Sequence, residues 1–201
     1  MLQVNAIKIQ PKTPFTWASG WLSPVYCDNR VTLSYPELRS FICHQLVKRI
    51  RDTFSEAELI AGVATAGIPQ GVLVADRLNL PFAYVRPEPK KHGLAKQIEG
   101  RVFPEQKVVV IEDLISTGKS SLNALRPLEA EGCKILGIVA TFSYGFPEAE
   151  NNFRKAGYTY EALTGWEALL KAGLRKKCIS PDDLELLHQW RQHPDRWRPV
   201  R

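Results

Sequence analysis

A run of four β-branched residues constrains this chain more than any other feature. Residues 108–111 read Val-Val-Val-Ile, which is typical of a strand covered on both faces in a parallel sheet. Glu112 and Asp113 follow directly, at the point where a parallel strand would end at a ligand crevice. Residues 117–120 read Thr-Gly-Lys-Ser and predict the start of a helix. The stretch therefore predicts a buried strand, an acidic junction and a helix in direct succession.

Helical and extended segments alternate along the rest of the chain. Pro36 precedes apolar residues at helical spacing, so a helix is expected to begin there. The other predicted elements are strands over 59–63, 82–86 and 135–142 and helices over 68–78 and 117–131. Two closing helices are also predicted, with Thr164 and Ser180 as their N-caps. Asp183 lies at the capping-box distance from Ser180. Because strands alternate with helices, the predicted fold class is α/β, a mainly parallel sheet with helices on both faces.

Length and composition exclude several classes of protein. The 201 residues suffice for one domain with a sizeable core, and a 44% hydrophobic and 24% charged composition is not that of a disordered, collagenous or disulfide-stapled chain. The net charge of +6 is modest, and residues 171–201 alone hold eight basic and four acidic residues. Such a small and local excess does not predict nucleic-acid binding.

The cysteines and the N-terminus point to a cytoplasmic protein. Cys27, Cys43, Cys133 and Cys178 are scattered and lack zinc-ligand spacing, so reduced thiols are expected. The first residues lack the apolar run of a signal peptide, and no stretch approaches the ~18 apolar residues of a membrane span. We therefore expect no membrane association.

Residues 108–121 combine the features of a sugar-phosphate site. Backbone N–H groups of a small-residue loop at a helix start bind phosphate, while two carboxylates face the rest of the ligand. The stretch is not a Walker A loop, because Asp113 stands where that loop requires glycine. A plain strand-turn-helix with capping residues does not explain two carboxylates at the end of an apolar strand.

Two further segments are ambiguous when taken alone. Residues 87–100 are rich in proline, glycine and charge, which predicts a long mobile loop. The cations Arg86, Lys90, Lys91 and His92 would then be either ligands or a solvated surface. Residues 64–69 form a small-residue turn that permits close backbone approach or is simply a tight turn.

Three segments in order resemble the type I phosphoribosyltransferases. Residues 108–121 resemble their phosphoribosyl-pyrophosphate signature, and residues 15–30 and 84–100 are similar to the orotate-specific branch. The tail, residues 190–197, is similar to the end of bacterial members. The resemblance implies a type I phosphoribosyltransferase-like fold over residues 1–201 as a single domain, with a small N-terminal hood over 1–35 and a mobile catalytic loop over 87–100.

The same resemblance implies a reaction and its residues. Ribose 5-phosphate would pass from 5-phospho-α-D-ribose 1-diphosphate (PRPP) to orotate, giving orotidine 5′-monophosphate and pyrophosphate in pyrimidine biosynthesis. Mg²⁺ would be carried mainly by the substrate pyrophosphate, without metal ligands from the protein. The implied catalytic residues are Glu112, Asp113 and Lys90, and Ser116 would also contact orotate. The implied PRPP-binding residues are Arg86, Lys90, Lys91, His92, Glu112, Asp113, Leu114, Ile115, Ser116, Thr117, Gly118, Lys119 and Ser120. A homodimer is implied, with the mobile loop of one subunit reaching its neighbour's site.

The chain departs from the family pattern at four positions. Ala18, Leu22, Ala66 and Pro87 stand where many members have lysine. The pyrophosphate site is therefore less cationic than in those members, and these four positions are left out of the candidate site.

Two other functions fit parts of the sequence. An enzyme of the same fold acting on a purine base is disfavoured by residues 15–30, which purine-specific relatives do not share. A regulator could keep the sugar-phosphate site and bind nucleic acid, but only about 35 residues precede the first core helix, too few for an added helix-turn-helix module. RNA bases could stack on Trp17, Trp21, Tyr26 and Tyr144, although core packing is the favoured interpretation of these aromatic residues.

Overall fold

A computed structural model describes residues 1–17, 19–89 and 96–199 of the chain. Its strands are β1 (Ile7–Ile9), β2 (Phe15–Thr16), β3 (Leu22–Ser23), β4 (Val25–Cys27), β5 (Leu59–Val63), β6 (Phe82–Val85), β7 (Ile98–Glu99), β8 (Lys107–Ile115), β9 (Lys134–Ser143) and β10 (Tyr160–Gly165). Its helices are α1 (Pro36–Thr53), α2 (Gly67–Leu78), α3 (Lys119–Ala130), α4 (Pro147–Ala156), α5 (Trp166–Arg175) and α6 (Asp183–Gln192), with 3₁₀ turns at Leu2–Val4 and Asn29–Ser34.

Six strands form the central sheet in the order β10-β9-β8-β5-β6-β7. The neighbouring strands are parallel except for β7, which runs antiparallel to β6. The α/β fold with a mainly parallel sheet is therefore confirmed. No helix in the described part of the chain is long and apolar enough to cross a membrane.

Strand β8 is covered on both faces, as its β-branched run predicts. Val108 and Val110 pack in one apolar cluster with side chains of α3 and α4, such as Leu125. Val109 and Ile111 point the other way and pack with α1 and α2. Residues 108–111 are all fully buried, so the carboxylates that follow stand on a rigid strand.

The N-terminal hood is built together with the C-terminal helices. Strands β1 with β4 and β2 with β3 form two small antiparallel sheets. Trp166 of α5 and Trp190 of α6 pack in the same apolar cluster as Val25 and Tyr144, and the Trp190 Nε1–H donates to the carbonyl oxygen of Leu22 at 3.0 Å. Residues 1–35 were predicted to form the hood, and its apolar support comes from the opposite end of the chain.

The ends of several elements differ from the sequence prediction. Thr164 is not an N-cap, because it lies in β10 and the helix that follows begins at Trp166. Ser180 does bond Asp183, with its N–H and its hydroxyl each 2.8 Å from Oδ2, but the helix begins only at Asp183. Residues 98–99 form strand β7, so the predicted loop over 87–100 ends early. Strand β10 and helix α4 were not predicted, although Pro147 and Gly157 are sequence signals for the two ends of α4.

Candidate active site

The acid pair lies where β8 extends beyond its neighbour β5. The last pair between these strands is Gly62 with Ile111, whereas β8 continues beside β9 as far as Ile115. The sequence predicted that the strand would end at Glu112 and Asp113, and the structure corrects this by two residues. The pair therefore lies just beyond the last residues that join β5 and β8, and the backbone of Glu112 is close to Gly67 in the turn between β5 and α2.

Glu112 is the more deeply buried acid of the pair. It is 6% exposed, and its two oxygens accept hydrogen bonds of 3.0 Å from the Ser121 hydroxyl and from the backbone N–H of Asp113. Burial raises the pKa of Glu112 well above its usual range, and the neighbouring charge of Asp113 raises it further. Glu112 is thus the member of the pair that retains a proton more readily.

Asp113 is the member better suited to carry the negative charge. Burial raises the pKa of its carboxyl, while hydrogen bonds from Glu112 and from backbone N–H groups lower it, as does the more distant charge of Arg30. Two adjacent buried carboxyls cannot both ionise cheaply. The pKa is raised for both carboxyls, and more for Glu112, so Asp113 is the member of the pair that ionises first.

The loop between β8 and α3 presents unpaired backbone donors. The N–H groups of Ser116, Thr117 and Gly118 donate no hydrogen bond within the described part of the chain, and the first N–H groups of α3 continue the set. Gly118 has φ +76°, and a Cβ there would stand 2.6 Å from the ring of Phe153. Only glycine fits this turn, which is a ready phosphate cradle.

The side chains of the signature segment are divided between core, site and surface. Ile115 is fully buried in the core and can reach a ligand only through its backbone, whereas Leu114 is half-buried and packs against the hood. The Lys119 ammonium is exposed and lies 2.7 Å from the Glu148 carboxylate on α4. Ser116 and Thr117 are half-buried beside the loop, and Ser120 is exposed.

The turn between β5 and α2 lies directly against the strand that carries the acids. The peptide between Ala64 and Thr65 is cis. A Cβ on Gly67 would stand 2.5 Å from the carbonyl oxygen of Ile111, the residue before Glu112. The close backbone approach that the small residues predicted is present.

Gly67→Ala is expected to destabilise the fold by about 1–3 kcal/mol, because the new methyl group collides with backbone that cannot move without shifting Glu112. Urea denaturation measures the loss. Gly173→Ala is the matched control, since its Cβ would meet the ends of two side chains, Ile179 and Ile9, rather than backbone, and a helix interior gains from alanine. Equal stability of the two variants would contradict the close-approach argument.

Arg86 follows β6 at the start of the predicted mobile loop. Its Nη1 lies 3.3 Å from Oε1 of Glu99, and its backbone N–H donates to the Gln97 carbonyl at 2.8 Å. These contacts join the two ends of the loop. Lys90, Lys91 and His92 lie outside the described residues, so their predicted roles stay predictions.

A cavity of about 420 Å³ opens between the hood and the phosphate loop. It is lined by Thr16, Trp17, Tyr26, Cys27, Leu114, Ser116 and Tyr144. Burial raises the pKa of both the Cys27 thiol and the Tyr144 phenol, so both groups are neutral near pH 7. The aromatic residues were interpreted as packing residues, and Tyr144 is 1% exposed, but Trp17 and Tyr26 also form walls of this cavity. Sequence reasoning missed that Trp17 and Tyr26 line a cavity, although both lie in residues 15–30, the segment that distinguished the orotate branch.

Fold, acid pair and phosphate loop together define the class of protein as a phosphoribosyltransferase. Residues 36–159 match the family described as the phosphoribosyl transferase domain. The chain is 53% identical over 197 residues to the orotate phosphoribosyltransferase of Bacteroides fragilis, covering 98% of this chain and 93% of that protein. It is 51% identical over 195 residues to that of Bacillus subtilis, covering 97% and 90%. The chain therefore belongs to the orotate phosphoribosyltransferases within the phosphoribosyltransferase family.

Solved structures agree with this placement. The orotate phosphoribosyltransferase of Aeropyrum pernix superposes with a TM-score of 0.75 at 27% identity, covering 85% of this chain and 94% of that one. The UMP synthase of Leishmania donovani gives a TM-score of 0.78 at 27% identity, covering 94% of this chain and 41% of that longer one. The type I phosphoribosyltransferase fold is thus confirmed.

Proposed function

We propose that this enzyme transfers ribose 5-phosphate from PRPP to orotate, giving orotidine 5′-monophosphate and pyrophosphate for pyrimidine biosynthesis. The observation that carries the proposal is the position of Ser116, which borders both the phosphate loop and the cavity under the hood. A sugar phosphate held at the loop would place its anomeric carbon between the acid pair and a ring in the cavity.

The acid pair fits the charge that develops in this reaction. When pyrophosphate leaves the anomeric carbon, positive charge builds on the ribose ring, and a fixed anion nearby stabilises that state more than the ground state. Asp113 supplies this anion from a rigid strand, and Glu112 offers a hydroxyl or carboxylate to the ribose hydroxyls. The backbone N–H groups of residues 116–118 and the start of α3 would hold the 5′-phosphate.

The leaving group requires positive charge on the opposite side of the sugar. Arg86, Lys90, Lys91 and His92 are the proposed donors to pyrophosphate, and Lys90 is the proposed catalytic cation among them. The described residues contain no cluster of three or more His, Cys, Asp or Glu side chains that could hold a metal. The proposed Mg²⁺ ion would be carried by the substrate's phosphate oxygens, where it would neutralise charge on the departing pyrophosphate.

Orotate fits the cavity by shape and chemistry. Trp17 and Tyr26 offer aromatic surface to a planar ring, and the Ser116 hydroxyl can bond a polar edge of it. The cavity, at about 420 Å³, lies in the usual range for small-molecule sites.

A homodimer with shared active sites completes the proposal. Its support is the sequence resemblance.

Loss of orotate absorbance on adding PRPP and Mg²⁺ tests the reaction. Hypoxanthine and uracil are the control bases. Consumption of hypoxanthine instead would identify a purine enzyme, and no consumption of any base, with RNA retained on a filter, would identify the nucleic-acid regulator.

Ser116→Ala is expected to raise the KM for orotate several-fold to about tenfold and to leave PRPP binding nearly unchanged. The hydroxyl contributes one neutral hydrogen bond, worth ~0.5–1.5 kcal/mol, while the backbone cradle survives the substitution. Ser40→Ala, on the exposed surface of α1, is the control. Equal losses for orotate and PRPP would reject the assignment of Ser116 to the base.

A further inference from the structure

Two asparagine side chains from distant parts of the chain hold the segment that runs from Asp113, at the end of β8, to Thr117 in the phosphate loop. The Asn29 Nδ2–H donates to the carbonyl oxygen of Asp113 at 2.6 Å. The Asn152 Nδ2–H donates to the carbonyl oxygen of Thr117 at 2.9 Å. Asn29 belongs to the hood and Asn152 to α4, so two separate elements fix the segment between Asp113 and Thr117.

Asn29 is itself rigidly placed. It is 6% exposed, and its Oδ1 accepts from the Cys27 thiol at 3.5 Å while its backbone carbonyl accepts from the Thr32 hydroxyl at 2.6 Å. A side chain bonded at both ends of its amide has one orientation. It can therefore transmit the position of the hood to the backbone at Asp113.

The bond from Asn29 acts on the peptide group beside the reactive carboxylate. In a trans peptide the C=O and N–H point in opposite directions, so fixing the Asp113 carbonyl also fixes the N–H of Leu114. That N–H is one of the backbone groups that lower the pKa of the Asp113 carboxyl. Beyond Ile111 strand β8 is no longer paired with β5, although it remains paired with β9, so the hydrogen bond from Asn29 adds a contact where the strand has lost one neighbour.

The bond from Asn152 acts on the phosphate cradle in the same way. It fixes the Thr117 carbonyl on the side of α4, so the N–H of Gly118 points away from α4. This N–H is one of the unpaired donors of the loop. The ring of Phe153, the next residue of α4, blocks the same side of Gly118.

We propose that Asn29 and Asn152 are positioning residues with separate roles. Asn29 aligns the acid pair for the chemical step, and Asn152 aligns the peptide group that binds the phosphate of PRPP. Neither residue touches the reacting atoms. The inference rests on the proposed function, since both roles are defined by the transfer of ribose 5-phosphate.

Steady-state kinetics of Asn29→Ala and Asn152→Ala separate the two roles. Asn29→Ala is expected to lower kcat about tenfold with the KM for PRPP within about twofold, because the acid pair matters most in the transition state. Asn152→Ala is expected to raise the KM for PRPP several-fold to about tenfold with kcat within about twofold, because the cradle binds the 5′-phosphate equally in both states. Asn151→Ala is the matched control, since Asn151 is the exposed neighbour whose side chain bonds Arg154 rather than the phosphate loop.

Melting temperatures and isosteric variants keep the test decisive. If Asn29→Ala fails to fold, Asn29→Leu replaces it, because leucine is close to asparagine in size and shape but has no donor for the Asp113 carbonyl. Changes in kcat and KM that are the same in the two variants and follow the loss of melting temperature would mean a merely structural role and overturn the proposal. So would an unchanged kcat in a folded Asn29 variant. The wild-type protein is assayed in parallel, and its failure to consume orotate would reject the proposed function instead.

Discussion

The Asp113→Asn variant is expected to lose on the order of 10²-fold or more in kcat while its melting temperature stays close to that of the wild type. An amide keeps the shape of the side chain but removes the anion beside the developing charge on the ribose ring. The surroundings tolerate the amide because burial already disfavours the charged form of Asp113 in the folded protein. The measurement is the initial rate of orotate consumption at saturating PRPP, together with thermal unfolding.

Asp195→Asn, which neutralises an exposed acid near the C-terminus, is the control for a simple change in net charge. If Asp113→Asn turned over at close to the wild-type rate, Glu112 and Asp113 would be ordinary structural acids and the proposed site would be wrong.

The residual activity of Asp113→Asn should depend on pH. Removing the charge of Asp113 lowers the pKa of Glu112, because that charge is one of the causes that raise it. Burial remains, so the pKa of Glu112 stays above its usual value. Ionised Glu112 can then serve as the remaining anion, and the residual rate should rise with pH through that pKa. Adding Glu112→Gln should remove this rise.

Sequence reasoning succeeded where local pattern and tertiary environment agree. Residues 108–111 carry only apolar β-branched side chains, and both faces of the strand are indeed covered. The phosphate loop was found because glycine at 118 and the helix start beside it have a local chemical signature. The acid pair was found because carboxylates are unusual at the end of such a strand.

What sequence reasoning missed depends on contacts between distant residues. Trp190 bonds Leu22 across 168 positions, and Asn29 bonds Asp113 across 84. No local pattern identifies such partners, because asparagine and tryptophan occur in many surroundings. Thr164 was misassigned as an N-cap for a related reason, since its pairing with Phe142 of β9 overrides the local preference of threonine for a cap.

Mixing two inactive variants is expected to restore activity if the active sites are shared between subunits. Lys90 is the proposed pyrophosphate cation and Asp113 the proposed anion, so Lys90→Ala and Asp113→Asn homodimers should each be nearly inactive. If Lys90 serves the neighbouring subunit's site, a mixed dimer has one site with both substitutions and one site with neither. Random pairing makes about half of the dimers hybrid, and activity should approach about a quarter of the wild-type value.

The pair Glu112→Gln and Asp113→Asn is the matched control for this experiment. Both residues lie on β8 of one chain, so every site of their mixed dimer carries one substitution and mixing should restore nothing. Subunit exchange is verified with two affinity tags, whose joint recovery reports hybrid dimers. If hybrids form and the Lys90→Ala mixture stays as inactive as this control, Lys90 acts within its own chain, because each site of the hybrid then carries one of the two substitutions. Recovery confined to the Lys90→Ala mixture would require a site that draws its anion from one subunit and its cation from the other.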